Sequence, residues 1–245
     1  MKSKIVHFFG IKFFDVNYNF IIRLIKMKKG YLVMPAASAL ADISKNFKYQ
    51  NSLRNSTAAL LDSGFFCILI KIFKFYNVTK FSGYKFLKFF FDDSSLKNKR
   101  ILLCNSSIKE DKFNYLFLKS KKFKFIKSYV CPMYNNINII DRKLFNIINI
   151  YKPEIILLNI GGGIQEILAY HINKNIKNKT IIICSGAAIS FFTGTQIKIG
   201  DIYDSLYLGW FRRFMSKPYE YYPRIIKSLL LFLIIIKTKI RISYL

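Results

Sequence analysis

Short apolar runs rich in β-branched residues alternate along the chain with longer amphipathic segments. The short runs predict strands at Ile5–Phe9, Tyr31–Pro35, Ala58–Leu61, Ile101–Cys104, Phe125–Val130, Ile155–Asn159 and Ile181–Cys184. The longer segments predict helices near Ala37–Lys48, Phe65–Phe75, Tyr84–Phe91, Lys109–Lys121, Arg142–Ile150 and Gln165–Lys174. That alternation predicts an α/β fold with a mostly parallel, doubly wound sheet. The predicted strands are apolar almost throughout, as a sheet needs when helices cover both its faces. Near residue 195 the character changes, and a basic, aromatic C-terminal appendage is expected. The division is 1–195 for the α/β domain and 196–245 for the appendage.

In such a sheet, ligands bind beyond the carboxyl ends of the strands. Small or permissive residues dominate there: Pro35-Ala36-Ala37, Asp62-Ser63-Gly64, Asn105-Ser106-Ser107, Gly161-Gly162-Gly163 and Ser185-Gly186-Ala187-Ala188. They allow a ligand close to main-chain amides. Among the acidic residues, only Asp62 and Glu166 fall at this predicted edge. Asp62 is either a general base or the cap of the helix starting near Phe65. The run Gly161 to Glu166 turns a strand into a helix. Its free amides suit a phosphate, or it is a tight turn with Glu166 favouring the helix start. It matches neither GxGxxG nor a Walker A loop. Asn105, Ser106 and Ser107 could bind a sugar hydroxyl or cap the helix near Lys109. His171 reads as a packing or surface histidine.

The chain has 245 residues and a net charge of +27, with thirty-two lysines and eight arginines. That excess points to anionic partners, although Lys, Ile, Asn, Phe and Tyr all have A/T-rich codons. Four dispersed cysteines, Cys67, Cys104, Cys131 and Cys184, form no CxxC pair, and only His7 and His171 could join them. A zinc site is therefore not expected. The N-terminus has no continuous apolar stretch and no A-x-A site, so no signal peptide is expected.

In the tail, Arg212, Arg213 and Arg224 lie within thirteen residues, interleaved with Trp210, Phe211, Tyr219, Tyr221 and Tyr222. Arginine grips phosphate oxygens as a planar fork, so these residues suit a diphosphate. The apolar run Leu229–Ile236 is too short to span a bilayer. It is either an interfacial helix meeting anionic lipid or a helix packed on the core.

Several segments together resemble the WecG/TagA/CpsF glycosyltransferases. PEIILLNIGGGIQE is similar to that family's strand followed by G-A-P-K-Q-E, with Gln165 and Glu166 at its Q-E. SGAAISFFTG resembles G-V-G-A-x-F-D-F-x-A-G. LYLGWFRRFMSKPYEYYPRI resembles L-G-L-E-W-x-x-R-L-x-x-E-P-x-R-x-x-R-Y, with Trp210, Arg213, Pro218 and Arg224 on matching positions. VMPAASALADISKN, LLDSGFF and FSGYKFL are similar to upstream family segments. The chain departs from the pattern at Ala36, Ser38, Ala39, Ser63, Gly162, Gly163, Ile164, Ser190 and Gly209.

The resemblance implies a Rossmann-like α/β domain with an appendage that closes the site near a membrane. It implies transfer of a hexosamine-type sugar from a UDP-sugar to a polyprenyl-diphosphate-linked acceptor, with no metal or cofactor. By match, Asp62 would be catalytic. Pro35, Gly161, Gly162, Gly163, Gln165, Lys198, Arg213 and Arg224 would bind substrate. The location would be cytoplasmic, peripheral at an anionic membrane face, with no nucleic-acid partner. The alternatives are a basic nucleic-acid-binding α/β protein and a non-catalytic membrane-associated scaffold.

Overall fold

The computed structural model describes residues 3–26, 29–135, 139–196, 204, 207 and 214–244. The chain opens with a hairpin, β1 (Lys4–Phe8) and β2 (Ile11–Asp15). Its two-residue turn, Phe9-Gly10, has φ of 52° and 75°. That is the left-handed pair a right-twisted hairpin requires. Helix α1 (Tyr18–Lys26) follows, with Asn17 Oδ1 accepting from the Phe20 N–H at 3.1 Å. Next come β3 (Gly30–Val33), α2 (Ala37–Leu40), α3 (Phe47–Arg54), β4 (Ala58–Leu60), α4 (Gly64–Lys74) and α5 (Gly83–Asp92). Then β5 (Arg100–Asn105), α6 (Ile108–Ser120), β6 (Phe125–Val130) and α7 (Arg142–Tyr151) lead to β7 (Ile155–Asn159). The chain continues through α8 (Ile164–Asn175), β8 (Ile181–Cys184), α9 (Ser190–Thr193), α10 (Pro218–Lys237) and β9 (Arg241–Tyr244).

The strands form one nine-stranded sheet in the order β6-β5-β7-β8-β3-β4-β2-β1-β9. The pairs from β6 across to β2 are parallel, and β1 pairs antiparallel with both β2 and β9. Every predicted strand is present within a few residues, and so are the predicted helices except that near Ala37–Lys48, which stops at Leu40 and gives way to a turn and a separate helix, α3. The expected α/β class with helices on both faces holds. One face packs α2, α3, α4, α7, α8 and α10 through residues such as Leu40, Tyr49, Phe66, Leu144, Leu168 and Leu231. The other packs α1, α5 and α6 through Ile22, Phe86, Phe90 and Leu118. Strands β3, β4, β7 and β8 are buried along their whole length, so the alternation typical of a half-wet strand is missing. All four cysteines are free and buried.

The last residues return to the domain. Helix α10 lies against α2 and α4. Leu231 and Ile235 are fully buried, while Leu229, Leu233 and Ile236 on the same helix are exposed. The run is thus packed on the core along one side, as the second reading expects, while its other side faces out. Strand β9 then pairs with β1 in register, Lys4 opposite Tyr244 and Val6 opposite Ile242. His7 Nε2 and Ser243 Oγ, 2.8 Å apart, add a side-chain link.

This burial makes a contrast on one helix. Leu231→Ala is expected to cost about 2–5 kcal/mol of stability through lost contacts and a cavity. Leu233→Ala, at a position 53% exposed, should cost under about 1 kcal/mol, as surface changes do. Urea denaturation of both variants checks this, and equal losses would contradict the packing of α10.

Candidate functional site

Parallel pairing puts the carboxyl ends of β3, β4, β5, β7 and β8 on one edge. Helix α6 leaves β5 on one face and carries the chain outward to β6. Helix α8 leaves β7 on the other face and carries it to β8. The sheet order thus reverses between β5 and β7, where a crevice opens in doubly wound folds.

At the base of that crevice lies a polar network. Asn105 and Asn159 face each other across the β5–β7 register. Asn159 Nδ2 donates to Asn105 Oδ1 at 2.8 Å, and Asn114 Nδ2 donates to the same oxygen at 2.7 Å. Asn105 Nδ2 donates to Asp111 Oδ1 at 2.7 Å, and Ser185 Oγ donates to Asn159 Oδ1 at 2.7 Å. Asn105, Asn114, Asn159 and Ser185 are all buried. These bonds satisfy most of the buried polar atoms, while Asn114 Oδ1 is buried without a partner among the described residues. Ser107, not Asn105, caps α6, accepting from the Glu110 N–H at 3.2 Å. Sequence reasoning did not find this network. Its signal was the polar end of each apolar strand, RILLCN and IILLN.

Above the network is the turn Gly161-Gly162-Gly163, mostly exposed. A side chain built on Gly161 or Gly163 would meet nothing within 4 Å, and one on Gly162 would come no closer than 3.9 Å to Ala39. The turn therefore opens onto free space. Gly163 has φ +91°, a conformation glycine adopts without strain. Its N–H donates to Glu166 Oε2 at 2.6 Å, the reach-back half of a capping box at the start of α8. Glu166 is fully buried, and that burial pushes its carboxyl above the usual glutamate range, against the pull of the bonds from Gln165 and Gly163. Gln165 is buried too. Its Oε1 accepts from the Gly186 N–H at 2.9 Å and its Nε2 donates to Glu166 Oε1 at 3.0 Å. Gln165 thus braces the turn after β7 against the turn after β8. Pro35 is buried at the end of β3.

Asp62 stands half-buried just after β4. It does not cap α4. Ser63 does, its hydroxyl accepting from the Phe66 N–H at 3.1 Å. Asp62 Oδ1 instead accepts from the Gly83 N–H at 2.7 Å, at the first residue of α5. The positive end of that helix favours a carboxylate beside it. A Cβ on Gly83 would lie 3.3 Å from Ala188, 3.4 Å from Met34 Sδ and 3.6 Å from Asp62 Oδ1. The ends of β3, β4 and β8 therefore close in around Gly83, and only a bare backbone fits comfortably there.

The far part of the chain reaches this place. Lys80 Nζ pairs with Asp204 Oδ1 at 2.6 Å. The Tyr207 ring sits over Gly64, where a Cβ would meet it at 2.9 Å. Lys71 and Lys80 each lie 5.5 Å from the Tyr207 ring centroid. Arg224 is exposed on α10, its guanidinium 5.3 Å from the centre of the Tyr221 ring. One turn further on, Lys227 pairs with Asp42 just beyond α2. The first half of α10 thus lies beside the segment that follows β3. Lys198, Trp210 and Arg213 lie outside the described residues. Among the described residues, no group of three or more His, Cys, Asp or Glu is placed to hold a metal ion. His171 packs edge-on to Phe145 at 5.5 Å, a packing role.

The doubly wound sheet, with a glycine turn and a carboxylate on its carboxyl edge, is a Rossmann-like α/β fold. The chain matches the model of the glycosyl transferase WecG/TagA/CpsF family over residues 6–243. It belongs to that family and is a glycosyltransferase. No curated protein is significantly similar to it.

Proposed function

We propose that the chain transfers a hexosamine-type sugar from a UDP-sugar to a polyprenyl-diphosphate-linked acceptor, in the synthesis of a cell-surface polysaccharide. The observation that carries this reading is the pairing of a half-exposed, amide-held Asp62 with the open turn at Gly161 to Gly163 on one sheet edge. In the proposed step, an acceptor hydroxyl oxygen attacks the anomeric carbon. The bond from that carbon to the UDP oxygen breaks, and its electron pair leaves with the diphosphate. The acceptor proton passes to Asp62, which is oriented by Gly83. Attack from the face opposite the leaving group inverts the sugar. The glycine turn supplies the amides of Gly161 and Gly162 to a phosphate, the Gly163 N–H being taken by Glu166, with Pro35 and the Gln165 brace shaping the walls. Arg213, Arg224 and Lys198 would offset the charge of the departing diphosphate. The division at residue 195 is then functional: 1–195 provides the edge and 196–245 brings the cations.

A basic nucleic-acid-binding role fits less well, because a carboxylate stands at the centre of the edge. A non-catalytic scaffold would tolerate loss of Asp62. We further propose a peripheral position at the cytoplasmic face of a membrane. Among the described residues no helix is long and apolar enough to cross one. Yet Ile72, Phe75, Leu229, Leu233 and Ile236 are exposed on or beside α4 and α10. Phe73 and Phe232 hold these two helices together at 5.1 Å, and Lys74 Nζ donates to the Ile236 carbonyl at 3.2 Å. Lys71, Lys74, Lys237 and Lys239 lie around the apolar residues in sequence, suited to lipid phosphates.

Acceptor-dependent UDP release from a panel of nucleotide-sugars tests the transfer. Asp62→Asn should lower turnover by about two to four orders of magnitude and cost at most about 1 kcal/mol of stability, since its amide oxygen can still accept from Gly83 and only the charge beside the helix end is lost. Ser63→Ala should do the reverse, losing about 1 kcal/mol of stability as a removed cap does and keeping its turnover. Near-normal turnover of folded Asp62→Asn would remove Asp62 from the reaction.

Vesicles containing anionic phosphatidylglycerol should co-sediment the chain, less so as salt shortens the screening length. The double variant Leu229→Ser, Leu233→Ser should bind more weakly with an unchanged melting temperature. Binding equal to that of the unmodified chain would exclude this surface.

A further inference from the structure

Asp204 is remote in sequence from every group of the edge, yet it lies one hydrogen-bonded residue from the atom that holds Asp62. Its Oδ2 accepts from Ser82 Oγ at 2.7 Å. The same hydroxyl accepts from the Lys85 N–H at 3.1 Å, which makes Ser82 the cap of α5. The next residue, Gly83, gives its N–H to Asp62 Oδ1. Lys80 neutralises Asp204, bonding both Oδ1 at 2.6 Å and the Asp204 main-chain oxygen at 2.9 Å. The Lys80 and Asp204 side chains are only 10% and 15% exposed, and Ser82 is buried.

We propose that Asp204 is a positioning residue for Asp62, acting through Ser82 and the first amide of α5. This rests on the reading of Asp62 as the base. A hydroxyl has one proton and can satisfy two partners only in one rotation. With the proton committed to Asp204, a lone pair of Ser82 faces the Lys85 amide and the first turn of α5 is fixed. Gly83 opens that turn, so the direction of its N–H is set with it. Phe81 N–H donates to the Leu61 carbonyl at 3.0 Å and anchors the loop from the other side, at the residue before Asp62. These two anchors hold the Gly83 N–H toward the Asp62 carboxylate. Without Asp204, Ser82 is free to rotate, Lys80 is left as an uncompensated, largely buried charge, and the Gly83 amide loosens. Since an error of about 1 Å in a reacting group costs up to a hundredfold, the chemical step should register the loss while donor binding does not.

The test uses the full chain labelled with ¹⁵N-glycine, and the variants Asp204→Ala and Asp204→Asn. Circular dichroism establishes that each is folded. Asp204→Ala should lower kcat by about ten- to a hundredfold with the donor KM unchanged. Amide hydrogen exchange at Gly83 should accelerate, while Gly10 and Gly30 at the opposite sheet edge keep their rates. Asp204→Asn retains an oxygen for Ser82 and should recover most of the Gly83 protection. If Asp204→Ala does not fold, Asp204→Asn carries the test through a smaller fall in kcat with the same unchanged KM. A folded Asp204→Ala with unaltered Gly83 exchange overturns the proposal, as does a loosened Gly83 with full kcat. If no donor turns over even in the unmodified chain, the transferase reading of the edge fails by that result alone. The Gly83 exchange then still decides whether Asp204 governs the amide that holds Asp62.

Discussion

Everything at the edge depends on the parallel pairing of β5, β7, β8, β3 and β4. Parallel strands all finish on the same side, so five loops distant in sequence meet there. Antiparallel pairing would have sent alternate ends away. The cost is that these strands lie between two helical layers and must be apolar to their ends. On the carboxyl side polar groups enter at the last position, as Asn105 and Asn159 do. There they satisfy one another, and Ser185 and Asp111 complete the set. Asn105 and Asn159 are tied into one network by these bonds, with Asn114 Oδ1 left unpartnered among the described residues.

On that floor the two functional features are held differently. The glycine turn is shaped from beneath, by the Glu166 carboxylate on the Gly163 amide and by Gln165 against Gly186. Among the described residues, none comes within 4 Å of a Cβ built on Gly161 or Gly163. Asp62 is held from the side, by the first amide of a helix whose cap is tied to Asp204. A residue late in the chain therefore bears on a carboxylate set early in it. The closing strand β9 on β1 and the buried face of α10 serve the same end, since they return the C-terminal part to the domain that carries Asp62.

Much of this was legible in the sequence. Alternating apolar and amphipathic segments predict the class and the seven strands because burial on both faces leaves an unbroken apolar signature. Four elements were not legible, one of them α3, which starts where the predicted helix Ala37–Lys48 ends. The Phe9-Gly10 turn makes a hairpin of what reads as one strand, and its only local sign is a single glycine. Helix α1 has an asparagine cap but no acidic residue in its first turn. Strand β9 is four residues long, and its pairing with β1 lies more than 200 positions away. At the site, the position of Asp62 at a strand end was plain, but its partner was not. Spacing suggested a cap for α4, whereas Ser63 next door does that work and Asp62 turns to α5. Gln165 matched a motif by type, while its orientation, inward between two turns, depends on where β8 lies. The Lys80–Ser82–Asp204 cluster spans 124 positions and has no local signature.

The central claim is that a nucleotide diphosphate sits on the carboxyl edge, over the glycine turn. The chain carries its own reporters, since glycines lie at both ends of the sheet. Titrating UDP into ¹⁵N-glycine-labelled protein and following amide shifts by NMR reads them at once. The account predicts shifts at Gly161, Gly162 and Gly163, with a smaller change at Gly186, and none at Gly10 or Gly30. Shifts confined to Gly10 and Gly30, or a glycine turn unmoved by saturating UDP, would contradict it.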